Sequence, residues 1–229
     1  MVKNHLKRIN MPKTWQVKRK GITFITRPNP GQASLALGLS ISTLIKDILK
    51  MAQTTREVKS ILNNQHVMVD NVRRKDHRYA IGFMDVISFP TINKHYRMIL
   101  TPQGKIMPKE ITEKESKLKV CQIKGKTLFA GKIQLNLSDG RNVLVTEKGY
   151  KIGDSIVFDL ASGKITDTIK LEKGCHIILT GGKHMGQTGA IVDIKGNGIS
   201  YKNAKGETAD TLKKYAYCTG KDKEMVTVK

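Results

Sequence analysis

Between Lys173 and Lys195 the chain reads as two strands joined by a glycine-rich loop. Cys175, Ile177 and Leu179 alternate with His176, Ile178 and Thr180, and Ala190, Val192 and Ile194 alternate with Ile191, Asp193 and Lys195. A period of two is the spacing of a pleated strand. The loop has glycine at 181, 182, 186 and 189, where a chain can take positive φ or approach another backbone closely. Its remaining side chains are Lys183, His184, Met185, Gln187 and Thr188. They contain no nucleophile with its base. A P-loop is excluded, because Gly182-Lys183 is followed by His184 and not by Ser or Thr. One cation, one titratable ring and amide and hydroxyl donors suit a phosphate backbone.

This pattern resembles the KOW motif of small SH3-like barrels, which recurs in ribosomal proteins and transcription elongation factors. Gly174, Gly182, Lys183, Gly186 and Gly189 fall on its spacing, and Cys175 stands where an acidic residue is usual. The resemblance implies an SH3-like domain over residues 173–229, with Lys183, His184 and Gln187 turned to RNA. Without it, the stretch is a plain glycine-rich β-turn.

Charge points the same way. Lysine and arginine number 41 against 19 acidic residues in 229, a formal net charge of +22. That is the electrostatic footprint of a polyanion binder. An apolar share of 39% is enough for small cores and too high for a disordered tail. Aromatics at 5% favour backbone and shape recognition over extensive base stacking. Cys121, Cys175 and Cys218 are far apart, form no CxxC, and read as reduced thiols of a cytosolic protein. No Cys/His cluster has zinc spacing. The first twenty residues hold no apolar run of signal length, and no stretch of eighteen apolar residues exists to cross a membrane. No cofactor, metal, membrane partner or homo-oligomer is expected.

Residues 1–31 carry eight positive side chains and no acidic one: Lys3, Lys7, Arg8, Lys13, Lys18, Arg19, Lys20 and Arg27. Pro12, Gly21, Pro28 and Pro30 interrupt them, and helical periodicity is poor. The segment reads as an extended basic arm that gains order only against RNA. Trp15 either anchors this arm on the body or stacks on a nucleotide.

Residues 40–89 read as a compact α+β unit. Leu44, Ile45, Ile48, Leu49 and Ala52 share a helical face. Thr54 with Glu57 is a capping box that opens a second helix, with Val58, Ile61 and Leu62 inward. Val67 and Val69 then lead into an Asp70-Asn71 turn, and Gly82 and Met84-Asp85-Val86-Ile87 give a closing strand. Arg56 and Lys59 project from the second helix; Arg73, Arg74, Lys75 and Arg78 follow the turn. This order resembles the alpha-L RNA-binding domain, the S4-type fold. Thr55-Arg56, Val67 to Asn71 and Asp85-Val86-Ile87 carry the likeness, with Asn71 where that family more often has glycine.

Residues 92–172 read as all-β. Ile133, Leu135 and Leu137 alternate with polar residues, Asp139-Gly140 follows, and Asn142 to Val145 returns. Asp-Gly between strand-like runs is a strong hairpin signal. Ile156, Phe158 and Leu160 alternate next, and Ser162-Gly163 turns the chain into Ile165. Asp154 and Asp159 read as turn and solvent-face residues, not as a catalytic pair. After the glycine loop, a hairpin turns at Asn203 to Gly206, Leu212 to Tyr217 finish the barrel, and the last residues are expected to fray.

The fold class is therefore α+β and multidomain: a basic N-terminal arm (1–38), an alpha-L domain (39–91), a central β-domain (92–172) and a C-terminal SH3-like KOW domain (173–229). Taken together, these parts are similar to the ribosomal S4e family of archaeal and eukaryotic small subunits. His5-Leu6-Lys7-Arg8, Pro12-Lys13-x-Trp15, Arg27-Pro28, Gly82 to Ile87 and Thr180-Gly181-Gly182 carry that resemblance. The chain stops soon after the KOW stretch, which gives it an archaeal look. Around Gln32 to Leu37 the family usually has basic residues and this chain has Gln-Ala-Ser-Leu-Ala-Leu.

The resemblance implies a non-catalytic component of the small ribosomal subunit, in the cytoplasm, bound to small-subunit rRNA and to other ribosomal proteins. The expected RNA-contact set is Lys7, Arg8, Lys13, Trp15, Lys18, Arg19, Lys20, Arg27, Arg56, Lys59, Arg73, Arg74, Lys75, Lys183, His184 and Gln187. Two other classes compete. An RNA-modifying enzyme could borrow the alpha-L domain, but it would need a catalytic domain of a hundred or more residues. A transcription elongation factor shares the KOW motif, but it leaves the alpha-L domain and the arm without a role.

Overall fold

A computed structural model of the chain describes residues 4–129, 131–146, 149–203 and 206–221. It divides into two compact units, one of residues 1–99 with 105–117, the other of 100–104 with 118–229.

The first unit begins with the arm. Leu6–Lys7 pairs antiparallel with Phe24–Ile25, so the segment folds back on itself. Trp15 is 2% exposed, and its indole N–H donates to the Gly38 carbonyl at 2.8 Å. Trp15 also bridges in parallel to Ile106, whose N–H donates to the Thr14 carbonyl. Of the two roles open to Trp15, the buried position is that of an anchor. The arm is thus folded on its own unit, where the sequence alone suggested order only against RNA. Local pattern could not show this, because the apolar partners lie far along the chain.

Ser40 caps the next element, its Oγ accepting from the Thr43 N–H at 3.2 Å. One α-turn, Ile41–Thr43, widens into a π-turn over Leu44–Ile48. The Leu49 N–H reaches the Leu44 carbonyl at 2.8 Å, and Lys50 takes a φ of 55°, which ends the helix short of Ala52. The second helix is Thr55–Asn64. At its start the Glu57 N–H donates to Thr54 Oγ1, the Thr54 hydroxyl donates to Glu57 Oε1, and the Gln53 N–H donates to Glu57 Oε2. This is the expected box, shifted one residue upstream on its return arm. Val58 and Leu62 are fully buried beneath it.

Asp70 and Asn71 both take positive φ, at 50° and 61°, the geometry of a two-residue hairpin turn. The turn joins Met68–Val69 to Val72–Arg73. The unit's main sheet runs in the order Val72–Arg73, Met68–Val69, Val86–Phe89, Lys94–Leu100, Ile106–Ile111. Residues 94–99 and 105–117 therefore complete a sheet begun before residue 91. Beside it, Gly38–Ser40 pairs with Ala80–Gly82. A Cβ on Gly38 or Gly82 would stand 2.7 or 2.8 Å from the Ala33 methyl. Asp85 closes this corner, its Oδ2 accepting from the Gly82 N–H and from the Gln32 amide.

The second unit holds two five-stranded sheets, each antiparallel through its paired strands. The first runs Asn142–Val145, Lys132–Leu137, Leu118–Phe129, Ser155–Asp159, Ile165–Ile169. Cys121, Ile123, Leu135, Leu137 and Ile156 form its core. Gly140, at a φ of 79°, turns the expected hairpin. Asp154 and Asp159 serve turns as expected, although Asp154 is buried and accepts from the Lys151 and Leu171 N–H groups. The second sheet runs Thr208–Leu212, Gly198–Asn203, Thr188–Lys195, His176–Leu179, Ala216–Gly220. The Tyr217 hydroxyl donates to the Val120 carbonyl at 2.6 Å and the Gln122 amide to that of Ala216 at 2.7 Å, joining the sheets. The tip at 204–205 and the terminal residues from 222 lie outside the described residues.

Candidate nucleic-acid interface

Among the described residues, the basic arm has cations used internally and cations that are exposed. Arg8 is buried and its guanidinium pairs with Asp47 Oδ1 at 2.8 Å, while its Nε donates to the Lys18 carbonyl. Arg19 donates to the carbonyls of Ile9 and Met11, holding the turns of the arm together. These two bind protein. Lys7, Lys13, Lys18, Lys20 and Arg27 are exposed.

A second group surrounds the helix Thr55–Asn64. Arg56 and Lys59 lie on its exposed face, and Lys75 is exposed beyond the hairpin. Arg73 donates to the Asn63 carbonyl at 2.8 Å, so it ties the hairpin to the helix end. Arg74 lies 4.4 Å over the Tyr79 ring, a cation–π contact. Burial pushes the His77 imidazole below its ordinary value; the Lys59 charge adds to this, Asp76 opposes it and Arg78 adds again. Positive charge from the helix and from the segment after the hairpin thus converges on one place.

The arm, the Leu44–Ile48 turn and residues 77–78 line an open cleft of about 460 Å³, with His5, Arg8, Phe24 and Arg27 from the arm and Lys46, Asp47, His77 and Arg78 from the rest of the unit. Arg78 donates to the Asn4 carbonyl and so fastens the arm. Lys46, Arg78 and Phe24 were not among the expected site residues. Arg78 continues the basic run after the hairpin, which was a usable signal. Lys46 and Phe24 carried none, since only folding brings them to the cleft.

The glycine loop forms a third group, in the second unit. Gly174, Gly182 and Gly186 each have a φ of 84°. A Cβ on Gly186 would collide with the Thr101 carbonyl, one on Gly189 with the Lys202 carbonyl, and one on Gly181 would stand 2.6 Å from the Tyr215 ring. Lys183 is exposed at the tip and His184 is half-buried. Gln187 turns inward, its Oε1 accepting from the Asn203 amide at 2.8 Å and from the Tyr201 hydroxyl at 3.2 Å. It fixes the loop on the next hairpin.

Among the described residues no group of three or more His, Cys, Asp or Glu side chains could hold a metal, and no helix is long and apolar enough to cross a membrane. The three cysteines are buried and unbridged.

The small ribosomal subunit protein eS4 of Methanosphaera stadtmanae is 39% identical to this chain, over 99% of this chain and 96% of that protein. The chain belongs to the ribosomal S4e family. The eS4 protein of Methanocella arvoryzae is 36% identical over 99% of this chain and 98% of its own length. The model of ribosomal family S4e matches residues 92–165, and that of the RS4NT (NUC023) domain matches residues 2–32, the arm. The crystal structure of the 30S ribosomal protein S4e from Thermoplasma acidophilum superposes with a TM-score of 0.69 at 29% identity, covering 81% of this chain and 96% of that one. The S4e relation accounts for the mostly β architecture with few helices.

Proposed function

We propose that this chain is a structural constituent of the small ribosomal subunit, which binds and stabilises small-subunit rRNA through phosphate and shape contacts. The observation that carries this reading is 36–39% identity, over 99% of the chain, with archaeal proteins named for that subunit. The net charge of +22 supports it independently. The role is architectural, without catalysis, and is carried out on cytoplasmic ribosomes beside other ribosomal proteins.

In this reading the helix Thr55–Asn64 and the Asp70-Asn71 hairpin belong to an alpha-L domain, followed by a central β-domain and a KOW domain of SH3-like form. The capped helix with outward Arg56 and Lys59 supports the first. The glycine loop with outward Lys183 supports the last. Contacts to phosphate are proposed for Lys7, Lys13, Lys18, Lys20, Arg27, Arg56, Lys59, Lys75, Lys183 and His184. Trp15, Arg8, Arg19, Arg73, Arg74 and Gln187 act one step behind them, holding the segments that present those cations. Phosphate contacts position a protein without reading sequence, and shape supplies the specificity.

The test is sedimentation of native lysate through sucrose at low and at raised salt. Co-migration with the small subunit that survives moderate salt is the expected result. Migration at the top of the gradient, or with RNA polymerase, overturns the reading.

A further inference from the structure

The cleft between the arm and the Leu44–Ile48 turn combines two features. Its described lining has four permanent cations, Arg8, Arg27, Lys46 and Arg78, against the single carboxylate of Asp47. Asp47 is already paired with Arg8. Lys46 and Arg78 meet no second carboxylate among the described residues that line the cleft. Among these cations lie large apolar side chains turned to solvent: Phe24 is 53% exposed and Ile22 61%. The His5 ring meets Phe24 edge-on, at 5.6 Å and 83°. The edge-on His5 braces the Phe24 ring, and half of the Phe24 surface stays open.

An exposed aromatic ring costs solvation free energy unless something covers it, and this chain is poor in aromatics, at 5%. A fatty or purely apolar partner would leave Lys46 and Arg78 without counter-charge. An acidic peptide would leave the ring uncovered. A nucleotide satisfies both, with a π-face for Phe24 and a phosphate for the cations. A volume of about 460 Å³ is the size of a single small-ligand site, not of a duplex groove. Single, unstacked bases are also what proteins read most readily in folded RNA.

We propose that this cleft captures one unstacked nucleotide of small-subunit rRNA, its base on Phe24 and its phosphate held by Lys46 and Arg78. This rests on the rRNA-binding role proposed above and names a site for it. The arm then works as one wall of a nucleotide clamp, and its own folding, through Trp15 and Arg8, forms the clamp before RNA arrives. Preformed geometry avoids the ordering cost that a disordered arm would incur on binding.

The probe is full-length archaeal small-subunit rRNA made by transcription, bound to the whole protein in a filter assay across a salt series. Ultraviolet crosslinking follows, with mass-spectrometric mapping of nucleotide adducts. Phe24→Leu keeps an apolar side chain and removes the π-face. It is expected to weaken binding on the order of tenfold with an unchanged salt slope, because no charge is lost. Lys46→Gln is expected to lower the slope by about 0.7–0.9. Crosslinks are expected within residues 22–27. Both variants should melt with the wild type, since each site is on the surface. If the wild type binds rRNA steeply with salt while Phe24→Leu binds equally well and no adduct maps to residues 22–27, the clamp is overturned and the rRNA-binding role stands. If the wild type prefers rRNA no more than heparin, both fall.

Discussion

Lys119 Nζ lies 3.3 Å from Asp139 Oδ2, with the two side chains 1% and 4% exposed. The pair joins the long strand Leu118–Phe129 to the hairpin turn at Asp139-Gly140. Burial alone would raise the Asp139 carboxyl. The Lys119 charge, the Arg141 N–H and guanidinium, and the Cys121 thiol outweigh it and hold the carboxyl below the usual range. Removing one partner of such a pair leaves a buried charge uncompensated, which costs about 3–5 kcal/mol. Asp139→Asn is accordingly expected to destabilise by that order in urea unfolding at neutral pH. The pH dependence has a fixed sign. A carboxyl lowered by folding contributes stability above its unfolded pKa, near ~3.9, and loses it as pH falls through the folded value. The gap between wild type and Asp139→Asn should therefore close below about pH 4, and a gap that stays constant into acid counts against the ion pair.

Trp15 is the chain's one tryptophan, so its fluorescence reports a single site. Buried beside Gly38, it should emit at short wavelength and resist quenching by iodide or acrylamide in the free protein. Adding rRNA should change neither property, because an anchor is already covered. Strong quenching by rRNA would return Trp15 to the role of a stacking residue. Trp15→Ala should cost about 3–5 kcal/mol, as large-to-small core substitutions do. Trp15→Phe keeps most of the volume and should cost less, chiefly the hydrogen bond to Gly38, worth about 0.5–1.5 kcal/mol.

What was readable in the sequence was local. Thr54 and Glu57 are three residues apart, and their capping box is determined by that spacing. Asp139-Gly140 and Asp70-Asn71 turn because their own φ preferences favour it. The alternation around Cys175 and Ala190 marked two strands correctly. What escaped were pairings that only the folded chain creates. Arg8 finds Asp47, 39 residues away, and Trp15 finds Gly38, so a run of positive charge became a folded wall. Nothing in the sequence signalled that Tyr201 and Asn203 would donate to the Gln187 oxygen and hold that side chain on the next hairpin. Lys119 carries no sequence signal of burial, and the structure buries it. A basic side chain carries no local mark that tells whether its counter-charge will be a carboxylate or a phosphate.

The glycine loop offers a comparison within one protein. Gly186 and Gly196 both have positive φ, at 84° and 56°. At Gly196 an added Cβ meets nothing within 4 Å, so Gly196→Ala should cost only the left-handed backbone strain, about 1–2 kcal/mol. At Gly186 the same Cβ would strike the Thr101 carbonyl, and backbone cannot step aside as a side chain can. Strain and overpacking together put Gly186→Ala at about 2–6 kcal/mol. Thermal melts of the two variants test this. Equal losses would mean that residues 101–104 do not pack against the loop.

The arm's cations separate into two kinds, and salt distinguishes them. Deleting the arm is a poor test, because it removes Trp15 and Ile25 from the core and unfolding would imitate lost binding. Charge-neutral substitutions avoid this. Lys7, Lys18 and Lys20 are exposed, so their joint replacement by glutamine should leave the melting temperature unchanged. If all three contact phosphate, it should flatten the slope of log affinity against log salt by about 2–3, at roughly 0.7–0.9 per contact. Arg8→Gln should do the reverse. It strands Asp47 and the Lys18 carbonyl, so it lowers stability, and it should leave the slope close to that of the wild type because its charge was already balanced. Filter binding to small-subunit rRNA, with melts in the same buffers, measures both quantities. A steeper loss of slope from Arg8 than from the three lysines would mean that Asp47 releases it on binding and that the ion pair is a latch, opened by RNA.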